Sequence, residues 1–135
     1  MKIIIAGSRY YDNYDEATAF IDDCINRLLS AQSSMRMDEH VFLSGGCSGA
    51  DMIGERYAHE MGYEIKRYPA EWNKYGKKAG PVRNKQMIMD CDAVICFWDG
   101  KSRGTLSLIK LAEKYEKDLF IHYITNLNAK CDKCI

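Results

Sequence analysis

The fold class is decided by the stretch Val41-Phe42-Leu43-Ser44-Gly45-Gly46-Cys47-Ser48-Gly49-Ala50-Asp51, in which an apolar run leads through three glycines into a helical pattern. The run before Gly45 predicts a short buried strand, and apolar residues at helical spacing after Gly49 predict a helix. The same succession recurs along the chain. Further strands are predicted at 3–6, 63–68, 93–98 and 119–124, and further helices at 14–30, 81–91 and 105–117.

Strands that alternate with helices predict βαβ units and a parallel sheet. The strands are apolar throughout, which is typical of strands covered on both faces. We therefore expect one doubly wound α/β domain, Rossmann-like, with about five strands in a mainly parallel sheet and helices on both faces. The domain is expected to span 1–124, followed by a polar tail at 125–135. In such sheets the ligand lies beyond the carboxyl ends of the strands.

The composition is that of a globular domain, with 135 residues of which 47% are hydrophobic and 28% charged. No apolar run approaches the ~18 residues of a membrane span, and the short apolar N-terminus predicts a buried strand, not a signal peptide. Six cysteines in such a chain indicate free thiols and a cytoplasmic location. Nineteen basic residues balance nineteen acidic ones, which argues against a dedicated nucleic-acid binder and leaves room for a local basic pocket.

The glycine-rich loop at 44–51 is the strongest candidate site. Glycines let backbone N–H groups approach an anion, and a helix N-terminus adds a favourable dipole, so one interpretation is a phosphate cradle. The alternative is a tight strand-to-helix turn in which the glycines serve only to permit positive φ. Small residues with a cation also follow the first and fourth strands, at 7–9 and 99–105, where a second cradle would face the first.

Between the third strand and the next helix lies a polar segment that contains aromatic residues. Trp72 is a candidate to stack on a base, and Arg83 with Asn84 is a candidate to contact phosphate or ribose. The alternative is a lid-like loop with solvated charges. The full set of candidate ligand-binding residues is Gly7, Ser8, Arg9, Ser44, Gly45, Gly46, Cys47, Ser48, Gly49, Ala50, Asp51, Trp72, Arg83, Asn84, Asp99, Gly100, Ser102, Arg103, Gly104 and Thr105.

Three motifs together resemble the YspA/cpYpsA-type branch of the SLOG superfamily. They are Ser44 to Asp51, Ala79-Gly80-Pro81-Val82-Arg83-Asn84 with Met87, and Arg103-Gly104-Thr105. The resemblance extends from Lys2 to about Ile121 and implies a Rossmann-like fold that binds a nucleotide or a nucleotide-derived ligand. A related branch, the LOG family, cleaves the N-glycosidic bond of nucleoside monophosphates and releases ribose 5-phosphate.

The LOG resemblance is incomplete at the residues that would carry catalysis. LOG proteins carry an Arg-Lys-x-x-Met segment and a later Pro-Gly-Gly-x-Gly-Thr-x-x-Glu, whose Arg and Glu are the suspected catalytic pair. Arg83 and Met87 match the first motif, but Leu108 stands where the Glu would be. If the chain is an enzyme, the resemblance implies Arg83 as a catalytic residue, and Asp51 or Glu55 would have to replace the missing carboxylate.

Two functions follow as expectations. The favoured one is a binder of a nucleotide or nucleotide-derived small molecule, acting as a sensor or sequestering protein, and the alternative is a LOG-like nucleotide-processing hydrolase. Neither nucleic acid nor membrane is expected as a partner, and homo-oligomerisation is left open. Cys131 and Cys134 form a Cys-x-x-Cys pair without a second pair of ligands, so no metal and no cofactor is predicted.

Overall fold

A computed structural model describes residues 1–31 and 40–124. Its strands are β1 (Lys2–Gly7), β2 (Val41–Ser44), β3 (Glu64–Arg67), β4 (Ala93–Trp98) and β5 (Asp118–Tyr123). Its helices are α1 (Tyr14–Ala31), α2 (Ala50–Met61), α3 (Trp72–Tyr75), α4 (Ala79–Asp90) and α5 (Arg103–Lys114), with a 3-10 turn at Gly76–Lys78 between α3 and α4.

The five strands form one parallel sheet in the order β3-β2-β1-β4-β5. Strand β1 is central because it pairs with β2 on one side, through Ile3 opposite Phe42, and with β4 on the other, through Ile5 opposite Ile95. The chain builds outward from β1 to β3 and then returns to the other side of β1 to form β4. The order of the strands therefore reverses between β1 and β4, where a doubly wound sheet opens a crevice for a ligand. The predicted fold class is confirmed.

Helices cover both faces of the sheet and bury two separate apolar clusters. On one face, α1 and α2 pack Ile21 and Tyr57 against alternate strand residues such as Ile3 and Phe97. On the other face, α4 and α5 pack residues such as Met87 and Leu108 against Ile4 and Val94. Since successive side chains of a strand point to opposite faces, a strand covered on both sides must be apolar at every position.

The edge strand β3 and the short helix α3 differ from this pattern. The sequence of β3 is Glu64-Ile65-Lys66-Arg67, and its charged side chains are exposed at the sheet edge, where charge opposes pairing with a second chain. Helix α3 lies inside the segment for which the sequence predicts a loop. One turn of helix has no apolar periodicity to reveal it, so sequence patterning does not detect it.

Two further expectations concern the ends of the chain and the membrane. The polar tail at 125–135, with Cys131 and Cys134, lies outside the described residues, so the proposed domain boundary stays a prediction. Among the helices formed by 1–31 and 40–124, none has the length and apolar character that crossing a bilayer requires.

Candidate functional site

A cleft of about 410 Å³ opens at the carboxyl ends of β1 and β4, where the strand order reverses. The loops after β1, β2 and β4 and the starts of α4 and α5 form its walls. Of the candidate residues, the cleft is lined by Gly7, Ser8, Arg9, Gly45, Cys47, Asp51, Arg83, Asn84, Asp99, Ser102, Gly104 and Thr105.

The remaining candidates lie away from the wall of the cleft. They are Ser44, Gly46, Ser48, Gly49, Ala50, Trp72, Gly100 and Arg103, together with the catalytic candidate Glu55. Trp72 is 57% exposed and lines a separate shallow depression with its neighbours in α3. The structure thus groups the loops as the sequence predicts and leaves the aromatic residue of the 69–80 segment outside the cleft.

The glycine-rich loop bonds to its own protein at several backbone donors. The N–H of Gly46 donates to Ser44 Oγ at 3.1 Å, and the N–H of Cys47 donates to Asp51 Oδ2 at 3.3 Å. At the start of α2, the N–H of Ala50 donates to the carbonyl oxygen of Ser8 at 3.0 Å. Two of these bonds close within the loop and its helix, and the third joins it to the loop after β1, so these three backbone donors are already used by the protein.

Gly49 is required by the close approach of the loop after β1. Its φ is +76°, and a Cβ at this position would lie 2.5 Å from the carbonyl oxygen of Arg9. Only glycine fits both the positive φ and the contact with the neighbouring backbone. Gly49 therefore allows the loops after β1 and β2 to pack directly against each other behind the wall of the cleft.

Arg83 connects α4 to the glycine-rich loop across the cleft. Its Nη1 donates to the carbonyl oxygen of Gly45 at 2.8 Å, and its Nε donates to Asn84 Oδ1 at 3.0 Å. The remaining nitrogen, Nη2, lies 4.0 Å from Cys47 Sγ. These two hydrogen bonds hold the guanidinium in place, and Nη2 faces the glycine-rich loop and the cleft.

Asp51 is buried at the base of the cleft, with 6% of its surface exposed. Burial raises the pKa of Asp51 to about 6, because desolvation outweighs the hydrogen bond from the Cys47 N–H and the attraction of Arg83. Its carboxylate is directed at the protein's own backbone. Asp51 consequently stabilises the loop and offers little charge to the cleft below pH 6.

Glu55, the other catalytic candidate, is held by its neighbours outside the cleft. Arg67 donates to Glu55 Oε1 through Nε and Nη2, and Ser44 Oγ donates to Glu55 Oε2 at 2.7 Å. Burial alone would raise the pKa of Glu55, but these hydrogen bonds outweigh it and lower the pKa below its ordinary value. A carboxylate stabilised in its ionised form by two partners is poorly suited to donate a proton.

The start of α5 forms the opposite wall of the cleft and is more open than the glycine-rich loop. Asp99 Oδ1 accepts the N–H groups of Lys101 and Ser102, both at 2.8 Å, and so shapes the loop that precedes the helix. Gly104 and Thr105 line the cleft in the first turn, and a Cβ on Gly104 would meet no atom within 4 Å. The positive end of the α5 dipole therefore faces open space in the cleft.

The base of the cleft is apolar where a LOG-like reaction would need a carboxylate. Leu108 is buried and packs in the same cluster as Met87 and Ile88, while still contributing to the cleft surface. A hydrocarbon at this position completes the core beneath α5.

Five residues of the cleft are absent from the sequence-based set of ligand-binding candidates. They are Ala6, Tyr10, Met87, Lys101 and Leu108. Tyr10 is 69% exposed at the rim, and Lys101 is exposed in the wall formed by the 99–105 loop. Tyr10 directly follows the predicted segment 7–9, so extending that segment by one residue would have included it, whereas Lys101 lies inside the predicted segment 99–105 but outside the candidate set.

Comparison with known proteins identifies the family. The model of the YspA, cpYpsA-related SLOG family matches residues 1–75. The chain belongs to this family. The Gene 61 protein of Mycobacterium phage D29 is 30% identical over 119 residues, which cover 84% of this chain and 89% of the phage protein. The resemblance to this family is confirmed over residues 1–75, which include the glycine-rich loop, whereas the Arg83 and Gly104-Thr105 motifs lie beyond the matched residues.

Two solved structures of DNA processing protein A share the fold of this SLOG chain. The protein from Helicobacter pylori, described for its unique single-stranded DNA binding mode, is 21% identical with a TM-score of 0.65, over 99% of this chain and 73% of that one. DNA processing protein A (DprA) from Streptococcus pneumoniae is 19% identical with a TM-score of 0.68, over 98% of this chain. The SLOG chain spans 55% of the length of the S. pneumoniae chain.

These neighbours overturn two expectations drawn from the sequence. A free nucleotide or nucleotide-derived molecule as the ligand, whether sensed or hydrolysed, and the exclusion of nucleic acid as a partner are both contradicted by a single-stranded DNA binder with the same fold. The physical error lies in the use of net charge. A zero balance is an average over the whole chain, whereas binding of a polyanion depends on the few cations at one cleft.

Proposed function

We propose that this SLOG protein binds single-stranded DNA, with the strand entering the cleft between the loop after β1 and the start of α5. The observation that carries the proposal is the convergence of Arg9, Arg83 and Lys101 on that cleft, which the open N-terminal turn of α5 also lines. Cations and helix N-termini are the groups that proteins use to contact phosphate oxygens.

The two carboxylates of the cleft, Asp99 and Asp51, each accept hydrogen bonds from the protein's own backbone. Asp99 accepts two backbone N–H groups, and Asp51 accepts the N–H of Cys47 while its pKa is raised to about 6 by burial. Asp99 Oδ1 and Asp51 Oδ2 are thereby directed at the backbone and not at the ligand. Arg9 and Lys101 are exposed at the rim, where they can meet successive phosphates.

Tyr10 supplies an aromatic ring for base stacking at the rim of the cleft. Its ring is 69% exposed and borders the cleft next to Arg9. Every base has a flat face, so one exposed ring beside a cation suits a strand of any sequence. A duplex keeps its bases stacked inside, which makes this combination selective for single strands.

The size of the cleft limits what it holds at one time. About 410 Å³ lies at the lower end of the range of small-ligand sites, about 300–1,000 Å³, so the cleft accommodates roughly one nucleotide unit with its phosphate. The rest of a strand would continue over the open rim. The proposal therefore includes affinity that rises with strand length.

The test is fluorescence anisotropy of a labelled oligothymidylate titrated with the full chain at low salt. Affinity is expected to fall as salt rises, with a slope of about −0.7 for each phosphate contacted. An unlabelled duplex and thymidine monophosphate should compete weakly, and unlabelled single strand should compete fully. Absence of anisotropy change at low salt, with the protein shown to be folded by circular dichroism, overturns the proposal.

Two further expectations from the sequence are retained within this proposal. A reducing cytoplasmic location is supported by Cys24, Cys47, Cys91 and Cys96, which are free thiols in the structure. A domain boundary near residue 124 is supported by the end of the last strand, β5, at Tyr123.

A further inference from the structure

Outside the cleft, the outer surface of α5 carries three cations in line. Arg103, Lys110 and Lys114 are exposed and are separated by seven and four residues. At 100° per residue they lie within about 40° of one another around the helix axis. We call these three residues the α5 basic stripe.

The stripe lies along a groove that adjoins the cleft. Arg103, Lys110 and Lys114 line an open groove of about 360 Å³, together with Leu106, Ser107 and Leu111. The next residue after Arg103, Gly104, already lines the cleft. A chain that leaves the cleft over the first turn of α5 therefore passes directly onto the stripe.

The charges of the stripe are not neutralised by the protein. Within residues 1–31 and 40–124, no ion pair involves Arg103, Lys110 or Lys114. Glu113, the acidic residue of α5, lies about 60° from Lys110 around the helix axis, and no ion pair joins the two. Lys114 Nζ lies 5.5 Å from the centre of the Tyr115 ring, a contact that leaves its charge in place. Exposed cations that are aligned and not ion-paired favour a partner with regularly spaced negative charge.

We propose that the α5 basic stripe is a second contact surface for single-stranded DNA, which carries the strand away from the cleft along the outer face of α5. The inference rests on the function proposed above. From Arg103 to Lys114 the helix rises about 16 Å, which matches up to about five phosphates at the ~3.4 Å spacing of a stacked strand. Leu106 and Leu111 provide apolar surface beside the cations for sugars and bases.

The test compares strand lengths. The double variant Lys110→Ala/Lys114→Ala and the wild type are titrated by anisotropy with labelled oligothymidylates of four and of twenty nucleotides. The matched control, Arg27→Ala/Arg56→Ala, removes two charges from α1 and α2, which cover the opposite face of the sheet. A melting curve of each variant confirms that it is folded.

For the 20-mer, loss of two phosphate contacts should lower the salt slope by about 1.4 and weaken binding roughly 10- to 30-fold at 0.1 M salt. Binding of the 4-mer, and all binding by the control, should stay unchanged.

If the double variant binds each of the two strands as tightly as the wild type does, the α5 basic stripe is not a DNA contact surface. If Arg83→Ala still weakens both strands, the proposed function survives that result. Equal weakening of both lengths overturns the stripe as a separate surface, because it would place the lysines in the cleft. Failure of the wild type to bind either strand removes the proposed function, and the stripe with it.

Discussion

The guanidinium of Arg83 donates from Nη1 to the carbonyl oxygen of Gly45 at 2.8 Å, joining the start of α4 to the loop after β2. The two residues are 38 positions apart in sequence. The bond does two things at once, since it satisfies the loop carbonyl and fixes a cation at the wall of the cleft. Because Arg83 has both roles, substitutions of it are expected to affect stability and DNA binding separately.

Arg83→Ala should weaken binding of single-stranded DNA by about 10- to 150-fold, because a hydrogen bond to a charged group contributes about 1.5–3 kcal/mol. Arg83→Lys should restore part of the affinity and most of the salt slope, since lysine keeps the charge but cannot bond to Gly45 and Asn84 together. Anisotropy titrations at several salt concentrations separate the two variants. Arg27→Ala, an exposed arginine paired with Asp23 on α1, is the control. Full affinity in Arg83→Ala would show that the strand bypasses this wall.

The backbone contact behind the cleft gives a prediction about stability. Gly49→Ala and Gly46→Ala introduce the same methyl group at nearly the same φ, +76° and +75°, but a Cβ on Gly46 meets no atom within 4 Å. Gly46→Ala should cost roughly 1–2 kcal/mol of unfolding free energy from the positive φ alone. Gly49→Ala should cost about 1–3 kcal/mol more, because its methyl group collides with the backbone at Ser8 and Arg9. Urea denaturation of both variants measures the difference. Equal losses would mean that the loop after β1 moves aside freely.

The Arg83–Gly45 hydrogen bond and the close backbone approach at Gly49 are contacts that the sequence does not predict, although it does predict the strands around them. Strands β2 and β4 are predicted with their observed bounds, because burial on both faces leaves a continuous apolar run. The location of the site follows from the same topology, since parallel strands bring their carboxyl-end loops to one edge.

The partner of each donor in those loops does not follow from the topology. The N–H of Ala50 bonds to Ser8, and Arg83 bonds to Gly45, at separations of about 40 residues, where periodicity carries no information. A glycine-rich loop that binds an anion and one that bonds to itself have the same composition. The choice between them depends on tertiary contacts, so the sequence left both interpretations open.

Asp51 predicts a pH dependence of stability. Its pKa in the folded protein is about 6, above the ordinary value of 3.8, so the folded state holds a proton that the unfolded state has released between about pH 4 and 6. Stability should therefore fall as pH rises through this window, by about 2–3 kcal/mol in total.

Asp51→Asn does not ionise and can still accept the Cys47 N–H through its amide oxygen. Relative to the wild type, it should gain about 2 kcal/mol of unfolding free energy between pH 4.5 and pH 7.5. Urea denaturation at the two pH values gives this difference, with the exposed Asp23→Asn as control. The same pH dependence in the variant and the wild type would refute the raised pKa.

Tyr10 gives a prediction that tests the rim of the cleft independently of its cations. The ring is 69% exposed, so Tyr10→Ala should leave the melting temperature nearly unchanged. Loss of a stacked base costs about 1–3 kcal/mol on alanine substitution, so single-strand affinity should fall by about 5- to 150-fold. Tyr10→Phe keeps the aromatic face and should bind as the wild type does, with an unaltered salt slope in both variants because no phosphate contact is lost.

The control is Tyr123→Ala, which removes a ring that is 60% exposed at the end of β5 and does not line the cleft. If Tyr10→Ala and Tyr123→Ala bind equally well, stacking at the rim is absent and phosphate contacts alone hold the strand. If Tyr10→Phe is as weak as Tyr10→Ala, the phenolic hydroxyl, and not the ring face, makes the contact.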